Sequence, residues 1–211
     1  AELALAYAAM ESGNYEKALN IAKNWQEKSP DKAESYNMLA AIQMRQGNIA
    51  EAKQALLISL EKEPNNLFAI TEIAKLYYQQ GDIETAKKYS DTAIQLYPDN
   101  VKALRYSHAV NKSPESLSQV STAYQSNKEN IEISILYMEA LAQSKDYKTL
   151  LEVSAKIPDS IKTPKKVWQL RVLAYQQLKQ GGNIQSTLNK WMKTNPYHIE
   201  PVFLLADIYN K

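Results

Sequence analysis

Residues Lys32–Pro64 read KAESYNMLAAIQMRQGNIAEAKQALLISLEKEP, and this stretch decides the fold. Tyr36, Leu39, Ala40 and Met44 recur at helical spacing until Gly47 interrupts them. A second helical pattern runs through Ile49, Ala52, Ala55, Leu56 and Leu60 and stops at Pro64. Gly47 suits a left-handed position just past the first helix, where a side chain costs roughly 1 kcal/mol. Asn48 is expected to cap the second helix, with Glu51 three residues on to close a capping box. The stretch is therefore a helix, a tight turn and an antiparallel helix.

The same phrase recurs on both sides. Gly13, Gly47 and Gly81 stand 34 residues apart and open Gly-Asn-Tyr, Gly-Asn-Ile and Gly-Asp-Ile. Pro30, Pro64 and Pro98 keep step. So do Ala6, Ala40 and Ala74 in the first helix, and Ala18, Ala52 and Ala86 in the second. A fixed period of this size means one supersecondary unit stacked repeatedly. Small side chains kept in two registers, three times each, mark places where helices approach closely; enlarging one should cost ~1–3 kcal/mol through overpacking.

A large apolar residue, Leu-Ala, Gly-Asn/Asp-Tyr/Ile, Ala and a closing Pro at this period resemble the tetratricopeptide repeat. Three units carry the resemblance most fully: residues 1–30, 31–64 and 65–98. It implies an all-α fold, a right-handed α-α superhelix (solenoid) of antiparallel helix-turn-helix units. Later units depart from the pattern. After residue 98 a helix through Leu104 and Ala109 ends early at Ser113-Pro114, and Pro114 opens the next helix. Lys145 occupies a glycine slot, which implies a strained or rearranged turn. Gly181-Gly182 reads as the turn of a sixth unit with one residue inserted, and residues 201–211 as the first helix of a seventh. The expected organisation is one continuous solenoid: regular repeats over 1–112, degenerate helices over 113–163, and a repeat-like unit plus a truncated helix over 164–211. The chain opens and closes inside helices, so a fragment of a longer protein is expected.

Chemistry can be bounded by supply. The absence of cysteine excludes disulfides and thiolate metal sites. His108 and His198 stand ninety residues apart without further ligands at short spacing, so no metal site and no cofactor are expected. His108 reads as a packed helix histidine. The five glycines all serve turns, which leaves none for a phosphate loop. Carboxylates such as Glu61 and Glu63 lie on polar helix faces, and no activated nucleophile is present; no catalytic residues, hence no enzyme, is the reading. A net charge of +2 supplies no basic stripe for nucleic acid, and no apolar run is long enough to span a bilayer.

What remains is a surface. In tetratricopeptide repeats the first helices line a concave groove that accepts a peptide. Carried onto this chain, the groove positions are Leu3, Tyr7 and Met10; then Asn37, Ala41, Met44 and Arg45; then Phe68, Thr71, Lys75 and Tyr78. Lys102, Arg105 and Lys112 follow, with Trp168, Arg171, Tyr175 and Phe203 in a weaker register. Lys75, Lys102 and Arg105 beside Phe68 and Tyr78 would suit an acidic or C-terminal peptide. The clamp with which chaperone adaptors of the family hold a terminal carboxylate is missing, since its positions fall on Leu3, Tyr7, Met38, Phe68 and Glu72. The implied function is a non-enzymatic scaffold for a partner protein or peptide. The composition is similar to bacterial envelope-associated members, those of pilus biogenesis, polysaccharide export or the PEP-CTERM/exosortase sorting system. That implies the envelope or periplasm, with the cytoplasm open. A rigid spacer or accessory segment within a larger protein is the alternative.

Overall fold

A computed structural model describes residues 2–111 and 113–209, and every regular element among them is an α-helix. The chain divides into two compact units, Ala1–Asn111 and Lys112–Lys211. The first holds α1 (Glu2–Glu11), α2 (Tyr15–Lys28), α3 (Ala33–Gln46), α4 (Ile49–Lys62), α5 (Leu67–Gln79), α6 (Ile83–Leu96) and α7 (Val101–Val110). The second holds α8 (Pro114–Ser126), α9 (Ile131–Gln143), α10 (Tyr147–Ala155), α11 (Lys165–Gln177), α12 (Gly181–Thr194) and α13 (Glu200–Tyr209). Residues 113–163 and 164–211 thus fall in one unit, held together where α11 packs on both α9 and α10.

In the first unit each helix pair packs on the next, and alanine sets the spacing. Ala6, Ala18, Ala40, Ala52, Ala74 and Ala86 have no exposed surface. Around them lie larger apolar groups: Met38 and Ile42 with Met10 in one cluster, and Leu56, Ile73 and Leu76 in the next. The second unit is centred on Trp168 and Trp191, whose rings lie parallel with centroids 6.3 Å apart.

Gly13, Gly47 and Gly81 adopt φ of +76°, +81° and +82°. No atom stands within 4 Å of a Cβ built at any of them, so the glycine is required by torsion alone. In the second unit the left-handed residues are lysines, Lys145 at φ 63° and Lys179 at φ 57°. The first confirms the strained turn. The second corrects the reading of Gly181-Gly182, which lie inside the first turn of α12 rather than in the preceding turn. Lys179 follows Lys145 by 34 residues, so no residue is inserted.

The helix starts divide in the same way. Asn14 and Asp82 accept hydrogen bonds from the Lys17 and Thr85 amides at 3.1 and 3.0 Å, as N-caps do. Asn48 does not. Its side-chain amide donates to Gln43 Oε1 at 2.8 Å and its backbone N–H to the Gln43 carbonyl, so the capping box with Glu51 does not form. Ser113 caps α8 ahead of Pro114. Asn66, Asn100 and Asn130 cap α5, α7 and α9.

A non-glycine residue in the left-handed region costs ~1–2 kcal/mol. Lys145→Gly and Lys179→Gly should therefore each stabilise the protein by about 1 kcal/mol, net of the entropy glycine carries in the unfolded chain. Gly47→Ala should destabilise it by about 1 kcal/mol. Urea unfolding midpoints at constant slope check all three signs.

Candidate functional site

The odd-numbered helices of the first unit bear most of the anticipated groove residues, and their side chains fall into three groups. Tyr7 on α1 and Tyr78 on α5 are exposed by 43% and 38%, and Lys102 and Arg105 on α7 are also open to solvent. Met44 and Phe68 are half-buried, both packed on the cluster of Ala40, Leu56 and Ile73 that joins α3 to α5. Asn37, Lys75 and Thr71 are engaged in internal bonds. Lys112 lies outside the described residues.

Asn37 is a connector between helices. Its Oδ1 accepts from the buried Ser59 hydroxyl of α4 at 2.7 Å, and its Nδ2 donates to Asn66 Oδ1 at 3.0 Å. Asn66 in turn caps α5 through the Ala69 amide at 3.0 Å. One amide thereby fixes α3, α4 and the start of α5. Thr71 is buried and donates to the Leu67 carbonyl at 2.8 Å.

Lys75 is not a free cation either: its ammonium stands 3.3 Å from a carboxylate oxygen of buried Glu72. Sequence reasoning met Glu72 only as a mismatch to a clamp, and it missed Tyr106 as a site residue. Burial first, and the Glu72 carboxylate second, push the Tyr106 phenol above its usual range, with Arg105 opposing. Glu72, Lys75, Arg105 and Tyr106 therefore form one electrostatic neighbourhood across α5 and α7. The signal available in the sequence was a Glu inside the otherwise apolar run of α5.

Three expected groove residues are buried, which corrects their placement on a binding surface. Met10 joins Met38 and Ile42 in the core, where its flexible thioether fills the gap between helix pairs. Trp168 has no exposed surface and packs on Trp191. Arg171 retains 8% exposure and is spent on the end of α10: it donates to the Ser154 and Ile157 carbonyls at 2.6 and 2.8 Å and to Asp159 at 2.5 Å. Tyr175 is half-buried beside them, whereas Leu3 and Phe203 are exposed.

His108 is buried, and His198 Nδ1 accepts from the Trp191 indole N–H at 2.9 Å. Among the described residues no three His, Cys, Asp or Glu side chains gather as a metal site, and no helix is long and apolar enough to cross a membrane.

Residues 9–69 and 69–100 match two family models, each described as a tetratricopeptide repeat. No curated protein matches the chain in sequence. Among solved structures it is similar to PilW, described as a widely conserved type IV pilus biogenesis factor, with TM-score 0.74 and 12% identity over 97% of this chain and 96% of that one. It is also similar to PilF of Pseudomonas aeruginosa, with TM-score 0.70 and 15% identity over 98% and 96%. YrrB, described as a tetratricopeptide repeat protein with an unusual peptide-binding site, gives TM-score 0.57 and 15% identity over 88% and 97%. At such identities the likeness is one of fold, and it extends the stacked helix-pair architecture beyond residue 100.

Two outcomes follow from this geometry. Asn37→Ala should destabilise the protein by about 2 kcal/mol, because it leaves the buried Ser59 hydroxyl and the Asn66 cap without their partner. Thermal unfolding measures it. Tyr106 favours its neutral form when folded, so its contribution is complete below about pH 10 and is lost as pH rises through the raised pKa. Tyr106→Phe should flatten the alkaline limb of a stability-versus-pH curve and leave the neutral range unchanged.

Proposed function

We propose, from the premise that residues 9–100 of this chain are tetratricopeptide repeats, that the protein is a non-enzymatic interaction scaffold whose odd-helix face in the first unit holds a segment of a partner protein. The observation that carries this reading is the company of exposed aromatic rings and cations on those helices: Tyr7, Tyr78, Lys102 and Arg105. Tyrosine and arginine provide rigid area and directed hydrogen bonds at low entropic cost, which is why they dominate protein interfaces. Half-buried Met44 and Phe68 add an apolar floor. With Lys75 neutralised by Glu72, the net attraction rests on α7, so the partner segment is apolar where it meets α3 and α5 and acidic where it meets α7.

We assign the partner to bacterial envelope assembly. The support is the fold shared with PilW, whose description names pilus biogenesis, and with PilF. These neighbours lend nothing to polysaccharide export or exosortase sorting. A net charge of +2 supplies no strong electrostatic drive toward nucleic acid.

The test is capture from bacterial envelope extract by immobilised protein, with identification of what is retained. A Tyr78→Ala, Lys102→Ala double variant of unchanged helicity should lose the partner by at least about tenfold in apparent affinity. Equal retention by wild type and variant would remove the odd-helix face from the function.

A further inference from the structure

The second unit contains a cavity of about 350 Å³ that lies apart from the face just described. Its origin is a shortened helix. α10 has 9 residues where α12 has 14, and after Ala155 the chain runs irregularly to Pro164. The missing turns leave a space between α10, α11 and α12. Leu151, Pro158, Trp168, Arg171, Tyr175 and Lys190 are among its walls.

The walls carry an uneven charge. Arg171 and Lys190 supply two positive groups, and Asp159 supplies one negative group, bonded to Arg171 at 2.5 Å and 3.8 Å from Lys190. The guanidinium carbon lies 5.0 Å from the Trp168 ring centroid, so the arginine is held flat between an aromatic face and the end of α10. Trp168 is wholly buried, yet its indole Nε1–H has no hydrogen-bond acceptor among the described residues. An unpaired buried donor costs roughly 1–3 kcal/mol and is uncommon in a native interior. Around these polar groups the wall is aromatic and aliphatic, the usual composition of a small-molecule site, and the volume falls at the small end of such sites.

We propose that this cavity binds a small carboxylate with an apolar body. The resident Asp159 identifies the chemistry, since a carboxylate is the group that both cations already select. The net positive charge admits one further anion and disfavours a cation. An apolar body packs on Trp168, Tyr175 and Leu151, and the free indole N–H is a donor for the carboxylate. The volume holds one such group, either a free acid or the last residue of a peptide. This site stands whether or not the odd-helix face of the first unit binds a partner.

The test uses the whole chain and four probes: phenylacetate, phenylacetamide, the tripeptide Ala-Ala-Phe and its C-terminal amide. Intrinsic tryptophan fluorescence reports Trp168 and Trp191, and thermal shift provides a second readout. At least one acid should bind saturably, and at least about tenfold more tightly than its amide. Binding by phenylacetate alone indicates a free acid, and binding by the tripeptide indicates a chain terminus. Asp159→Asn keeps an acceptor for Arg171 and removes the internal competitor, so it should tighten acid binding by about tenfold. Lys190→Glu, at a side chain 64% exposed, should weaken it by a similar factor of about ten. Both variants are expected to keep the wild-type circular dichroism. Acid and amide binding alike, no binding by either acid, or affinities unmoved by the two charge changes would overturn the proposal.

Discussion

The first unit depends on six alanine contacts. Ala6 against Ala18, Ala40 against Ala52 and Ala74 against Ala86 occupy fixed registers, seven residues before and five after the left-handed glycine of each turn. All six are fully buried. A methyl group at both places lets two backbones run close together, and the close approach leaves larger side chains no room inside the pair. They project instead toward the neighbouring pair, as Met38, Ile42 and Ile73 do, or onto the outer face, as Tyr7 and Tyr78 do. The binding face is thus a consequence of what the pair interior excludes.

The second unit solves the same problem differently. Counting from its left-handed lysines, the two alanine registers are filled by Met138 and Leu150, and then by Val172 and Ile184. These are buried as well, but larger, and α11 and α12 approach one another less closely than α3 and α4. With bulk moved into the pair and α10 cut short, the unit fills its centre with stacked tryptophans and closes the end of α10 with the Arg171 guanidinium. A cavity between helices belongs to that packing. In the first unit, with its full-length second helices, the corresponding helix ends are closed by their own backbone bonds.

Much of this was legible in the sequence. Helix existence and pairing follow from apolar periodicity and from glycines 34 residues apart, because a left-handed turn has few chemical solutions and glycine is the cheapest. Lys145 and Lys179 hide the same turn behind an ordinary residue; only their 34-residue spacing betrays it, and Gly181-Gly182 nearby draws the eye to the wrong place. Side-chain orientation was harder. Met10 and Met44 occupy equivalent positions, yet one is buried and the other half-exposed, because burial depends on what the adjacent pair presents. Trp168 and Arg171 were misplaced for a related reason. Their burial follows from the early end of α10, which nothing local to α11 announces. Nor does a single Asn at a helix surface position reveal that it will bridge three helices, as Asn37 does.

The central claim is that the odd-numbered helices of the first unit meet the partner, and proximity labelling tests it most directly. A photo-crosslinking amino acid placed at Tyr78 on α5, and separately at exposed Asp91 on α6, reports which helix set is covered in envelope extract. The account predicts a discrete crosslinked partner from position 78 and none from position 91. Crosslinking from position 91 with none from position 78 would contradict it and move recognition to the even-numbered helices.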